Sequence, residues 1–507
     1  MNLTWFPGGT KLLIDGPAGP GISGIWTLAT ISHEIRKIQD NVGGVALAPD
    51  GSRIIFERDQ NLWQMGPSGE SPTRLVEAGY SNCSGLSWSP DGRWLTYIRR
   101  TGDTDPSVLE ARLAENGRIA TILKDSNLRG YVWLSATRIV LNRWEAPDKP
   151  YSNLWQIDVD PKEMKAIGAA RRLTNWAGFS VESLSASRDG KLLAFNRETD
   201  RSNIFIGRLT EGENSLSQPR RLSPEDRVEW PNAWGPDSET LFFQSDRAGN
   251  MNIYRQNINS TSAEPVVIEQ SDNRASALSP DKSWAIYFEW PRSSSHASSA
   301  NLMRRLVGGG TSELILEAKA EPTSPQNRYW VILPTMTGQP AFRCPWRAIR
   351  PCVLSESGSG ELVFYSFVPI PSTLKSELFR VHADDPNSIA WDLSPDGLRI
   401  VYAQYDWKSA SIHVRELSTQ TVRDIPLKGL TELSTVSWAA DGKSLFATTF
   451  AVTGSSLFHI ALDGKYHVLY KGAKEVEGAR PSPDGRYLAF GDVVSASNVW
   501  LVEGLPK

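Results

Sequence analysis

Six aspartates, Asp50, Asp91, Asp189, Asp396, Asp441 and Asp484, each stand immediately before a glycine on similar short turns. Carboxylates of this kind can ligate metals or shuttle protons. Their recurrence argues otherwise: a carboxylate that returns once per repeat, at one phase, is a turn device rather than a single active centre. The six histidines, His33, His296, His382, His413, His459 and His467, form no His-x-His or His-Glu-x-x-His spacing, so no metal set is expected. Gly79-Tyr-Ser-Asn-Cys83 and Gly178-Phe-Ser-Val-Glu182 both lack the closing glycine of a serine nucleophile elbow. Leu12–Ile14 runs into the glycine-rich Gly16–Gly21, but no Lys-Ser/Thr pair follows. That segment reads as a hairpin connection rather than a phosphate loop.

Nineteen tryptophans could stack on sugars. Trp88, Trp234, Trp391 and Trp438 precede the aspartate turns, and Trp63, Trp155 and Trp500 share a second phase. Repetition at a fixed phase implies packing between repeats, where aromatic rings bury large areas. Trp330, Trp346 and Trp407 fall outside both phases and are the candidates for a binding surface. Cys344 and Cys352, eight residues apart around Pro345 and Pro351, are either a candidate disulfide or two thiols on neighbouring strands. Cys83 reads as a small buried apolar residue.

The elements that carry these residues repeat. Leu47-Ala-Pro-Asp-Gly51, Trp88-Ser-Pro-Asp-Gly92, Leu393-Ser-Pro-Asp-Gly397 and Pro481-Ser-Pro-Asp-Gly485 each precede a short apolar run. Intervals of 41, 44, 45 and 43 residues separate Asp50 from Asp91, Asp237 from Asp281, Asp396 from Asp441 and Asp441 from Asp484. Proline presets φ, aspartate bonds the backbone and glycine accepts positive φ, so each turn joins two antiparallel strands. A third strand opens on asparagine (Asn61, Asn153, Asn203, Asn252, Asn498), and a fourth reads Arg-Leu-Val/Thr/Ser. Four short strands about every 44 residues make a β-propeller blade. About eleven such units exceed the four to eight of one ring, so the expected fold is all-β, two tandem β-propellers of four-stranded antiparallel blades. The seam is placed near 272: residues 1–272 as a first propeller of about six blades, 273–507 as a second of about five. An irregular insertion is expected near 290–345, and the last unit supplies only three strands.

Fifty-four basic against 57 acidic residues leave −3, which advertises no nucleic-acid partner. No apolar run is long enough to span a bilayer, and the start MNLTWFPGGTK carries no secretory pattern. Three cysteines exclude a disulfide scaffold.

On the Ser-Pro-Asp-Gly turns and the stretch Ser245-Asp-Arg-Ala-Gly-Asn-Met-Asn-Ile-Tyr254, the chain resembles the TolB-type, WD40-like (PD40) propeller repeats. Phe342-Arg-Cys-Pro345, Leu362-Val-Phe-Tyr365 and Trp391–Gly397 resemble the propeller half of bacterial winged-helix and kinase regulators, here without an effector domain. The resemblance implies a non-catalytic protein-interaction or ligand-sensing module, with a protein or peptide partner or a small ligand and no cofactor. The alternative is a propeller lyase or hydrolase using channel-lining histidines and carboxylates.

Overall fold

A computed structural model describes every residue except 1, 20–21, 60, 77–82, 101–105, 146–150, 211–214, 226, 291–298, 320–339, 359, 372–374, 384–385, 405–409, 432, 450–453, 473–474 and 505–507. Among the described residues the only helical element is a 3-10 turn at Pro386–Ser388; the rest is antiparallel strand and turn. Among the described residues no helix is long and apolar enough to cross a membrane.

The turns form as their chemistry dictates. The Ser89 hydroxyl donates to Asp91, the Arg93 N–H donates to the same carboxylate, and the Trp94 N–H returns to the Ser89 oxygen. Gly92 takes φ +69° to close the loop. Where the glycine is replaced, the backbone keeps its shape: Ser238 and Lys282 are held at φ +59° and +67°.

The chain forms two compact units, one of residues 1–199 with 496–507, the other of residues 200–495. The first contains four-stranded sheets at 2–40, 43–76, 83–125 and 128–172. A fifth sheet combines Ser180–Ala186 with the first part of the strand Leu192–Arg208 and the last part of Tyr487–Glu503. The second unit contains sheets at 229–267, 272–319, 341–382, 389–427 and 433–471. Its sixth joins Glu475–Pro481, the first part of Tyr487–Glu503, the last part of Leu192–Arg208 and Arg220–Arg221. The repeats thus fold, among the described residues, into four-stranded antiparallel sheets arranged as tandem propellers.

This division differs from the expected seam. Residue 272 falls inside the second unit, between the strands Glu264–Val267 and Asp272–Leu278. The reason is a missing turn. In 245–254 the sequence Asp-Arg-Ala-Gly-Asn turns the chain at Gly249, φ +95°. The shorter Thr199-Asp-Arg-Ser-Asn203 has no glycine, and the chain runs straight through as one 17-residue strand. Tyr487–Glu503 does the same. Within 290–345 the strands Ser299–Leu306 and Glu313–Lys319 are the third and fourth strands of a sheet, and residues 291–298 and 320–339 of the expected insertion lie outside the described residues.

Packing follows the first tryptophan phase, whereas in the second Trp63 and Trp155 are half-buried and Trp500 is exposed. Trp88, Trp234, Trp391 and Trp438 are buried, and Trp438 sits in a cluster drawn from adjacent sheets with Val401, Ile412, Leu445 and Ile460. Arginines cover several of these rings: Arg53 over Trp88 at 5.2 Å, Arg399 over Trp438 at 4.5 Å. The repeated asparagine ties a third strand to the connection that follows. Asn153 Oδ1 accepts from the Thr174 hydroxyl at 2.8 Å and the Trp176 N–H at 2.6 Å.

Candidate functional site

In the second unit the ring closes where the Trp234 indole N–H donates to the Arg480 carbonyl at 2.8 Å. A cavity of about 60 Å³ is lined by the first strands of five of its six sheets, which places it on the ring axis. Ala275, Ala341, Ala390, Gly478 and Ala479 leave the space, and Phe288, Trp290 and Trp391 wall it. Its charged lining residues are three arginines, Arg274, Arg343 and Arg480.

Irregular inner strands aim these groups. Register slips between Arg274 and Ala277, between Leu433 and Thr435, and between Glu477 and Arg480 set two residues against one. Gly478 at φ +64° accommodates the slip beside Arg480, and Ala275 at φ +54° pays strain for the one beside Arg274. Two of the arginines are satisfied locally. Arg343 Nε donates to Asp392 Oδ1 at 3.1 Å, while Asp392 Oδ2 accepts the Trp438 N–H at 2.9 Å. Arg274 Nη2 donates to Asp272 at 2.8 Å, and the Met251 N–H takes the other oxygen of that carboxylate. Among the described residues the Arg480 guanidinium makes one weak bond, 3.4 Å to the Ala479 carbonyl. Burial and the nearby Arg343 charge pull its guanidinium down to about 10, with Asp392 opposing. It remains a cation at neutral pH.

The Cys344–Cys352 loop follows directly on Arg343 of the cavity wall. The structure joins the two sulfurs, with Cα atoms 4.2 Å apart. This loop takes the place of the aspartate turn in its sheet. The Arg347 N–H donates to the Pro395 carbonyl at 3.0 Å, and Arg347 Nη2 reaches the Pro483 carbonyl at 3.5 Å. Pro483 belongs to the third sheet onward, across a six-sheet ring, so the loop straps the opening. Trp346 lies on it, half-buried with Arg347 over its ring at 5.4 Å. Trp330 and Trp407 lie outside the described residues.

The six turn aspartates do not converge. Their carboxylates accept from their own turns: Asp50 from the Ser52 N–H, Asp189 from the Ser187 hydroxyl, Asp396 from the Ser394 hydroxyl and Leu398 N–H, Asp441 from the Lys443 N–H, Asp484 from the Ser482 hydroxyl and Arg486 N–H. These bonds hold Asp50 and Asp189 below the usual carboxylate range. In Asp396 and Asp484 burial pushes upward as the largest single influence, and the hydrogen bonds together outweigh it. None of the described histidines lines the cavity. His413, His459 and His467 sit on third and fourth strands, and His382 is exposed beside Glu361. Among the described residues no group of three His, Cys, Asp or Glu is placed to hold a metal ion. Ser180 of the elbow-like sequence opens the strand Ser180–Ala186 and is paired with Glu198. In the first unit Glu182, pushed up to about 7 by burial and further by Glu198, is a titratable group that the spacing analysis overlooks.

The arginines were overlooked too, although the sequence carried a signal. Four residues before each turn aspartate stand Ala46, Ser87, Ser185, Ala233, Ala277, Asp392, Ser437 and Arg480. Only Asp392 and Arg480 break that run of small residues, and these two come within electrostatic reach at the axis.

No protein-family model matches the chain, and no curated protein matches it. Among solved structures, a tricorn protease matches over 95% of this chain and 50% of its own, at 12% identity and TM-score 0.29. This chain therefore spans about half of that protein. TolB from Acinetobacter baumannii matches over 80% and 76%, at 12% identity and TM-score 0.21. An oligogalacturonate lyase in complex with manganese matches over 56% and 84%, at 16% identity and TM-score 0.31. At these scores none of the three bears on this chain's activity, and the fold rests on its own sheets. The likeness to winged-helix and kinase regulators draws no support from them.

Proposed function

We propose that this chain is a non-catalytic binding module, a ligand-sensing or protein-interaction propeller of the TolB-like kind, whose site is the axial cavity of the 200–495 unit. One observation carries the reading: the charged groups on that wall are arginines. Arginine donors hold a ligand well but supply no base at neutral pH. The strapped mouth with Trp346 and the Cys344–Cys352 loop extends the same surface outward. The competing enzyme reading needs histidines or carboxylic acids at the channel wall, and the described histidines sit elsewhere.

The test is a thermal-shift screen of small ligands and short peptides, with each hit recovered by mass spectrometry. A hit that raises the melting temperature and returns unchanged supports binding, and conversion to products overturns the non-catalytic reading. Ala390→Phe, which fills the cavity, should abolish the shift. A shift that survives the filling moves the site away from the axis.

A further inference from the structure

We propose that the axial cavity takes a carboxylate, received in bidentate fashion by Arg480 with the Ser437 hydroxyl as a second donor. This deepens the binding reading above and rests on it. The first support is a count of charges. Of the three cations on the wall, Arg274 and Arg343 are matched by Asp272 and Asp392, and both carboxylates also hold a backbone N–H. Arg480 has no ion pair within 4 Å among the described residues. The one anion that acts on it, Asp392, is already paired with Arg343; a guanidinium held from bulk water with no carboxylate of its own is costly, and an anion beside it removes that cost.

The second support is independent. Ser437 lines the same cavity, is 3% exposed, and its hydroxyl has no hydrogen-bond partner among the described residues. What sets this group apart from other unpartnered buried atoms is its place on the cavity wall, where a ligand can complete it.

Shape and charge select the anion. The unmatched charge is a single positive one, which a carboxylate neutralises and a phosphate dianion over-compensates. A planar two-oxygen group fits the guanidinium fork. A volume of about 60 Å³ is room for a carboxylate on a short stem. The Phe288, Trp290 and Trp391 faces accept an apolar stem.

Two sources share this chemistry: a free small carboxylate, and the carboxylate at the end of a peptide chain. The probes are acetate, N-acetyl-Gly-Ala and its C-terminal amide, titrated at constant ionic strength with chloride as the balancing anion. Binding is read by calorimetry and by ligand-observed NMR. Acetate or the peptide acid should bind to the wild type, with chloride and the peptide amide at least tenfold weaker. Arg480→Met should weaken the acid at least tenfold while its melting temperature shows that the ring still folds. Arg480→Lys should recover only part of the loss. A peptide acid tighter than acetate assigns the site to chain ends, and equal binding assigns it to small carboxylates. Undiminished binding in Arg480→Met, or chloride as good as acetate, overturns the proposal. If no carboxylate binds but a neutral hit is still lost in Ala390→Phe, only the carboxylate assignment falls. If neither is seen, the binding reading falls with it.

Discussion

Replacing Lys282 by glycine should stabilise this protein, by an amount that depends on pH. Lys282 occupies the turn position that glycine fills at Gly92, Gly190, Gly397, Gly442 and Gly485, and it is held at φ +67°. A non-glycine residue there costs about 1–2 kcal/mol, partly offset by the greater freedom of glycine in the unfolded chain, leaving about 0.5–1 kcal/mol. The amine adds a second cost. Burial draws it from 10.5 down to about 8, with Asp281 opposing. Fully buried, that fall corresponds to about 3 kcal/mol; partial exposure of the side chain reduces it to about 1 kcal/mol. Because the folded value is the lower one, the native state binds fewer protons between pH 8 and 10.5. The amine penalty is therefore complete below pH 8 and fades as pH rises toward 10.5. Lys282→Gly should gain about 1.5–2 kcal/mol at pH 7, or roughly 4 °C in melting temperature, and about half of that at pH 10. Lys282→Met keeps the strained backbone and should show only the part that fades. Calorimetric melts of the three proteins at pH 7 and pH 10 decide the matter. No gain at pH 7 refutes the strain argument, and an equal gain at both values refutes the buried amine.

Thiol titration of the denatured, unreduced protein should find one free thiol, Cys83, and three after reduction; three before reduction would remove the strap across the channel mouth. Asp484→Ala should cost about 1–2 kcal/mol at pH 7, since the carboxylate accepts from the Ser482 hydroxyl and the Arg486 N–H. Its folded value lies below the ordinary one, so the cost should shrink as pH falls below about 4. Denaturant melts at pH 7 and pH 3.5 measure this, and a loss that is constant with pH would contradict a turn role for the aspartate.

The turns and blades were legible because their causes are local. Within five or six residues, Ser89, Asp91 and Gly92 hold every hydrogen bond that makes the turn, and alternation along Trp94–Arg99 faces its rings toward neighbouring sheets. The phase of Trp88 and Trp438 announced burial for the same reason. The candidate site was less legible. Arg480 and Asp392 stand 88 positions apart in the chain, and their shared departure from a run of small residues has meaning only once the repeats are superposed on a ring.

The sequence by itself thus determined the repeating unit, its turn chemistry and which faces are apolar. Tertiary structure alone decided how the eleven units are shared between two propellers and which side chains meet on an axis. The physical reason is reach. The segment 199–203 lacks the glycine that turns the chain at Gly249, and what that lack does is decided by the distant strand Tyr487–Glu503 that lies beside it in the sheet. A charge on an inner strand, likewise, acquires its partner or lacks one only when distant blades close around it.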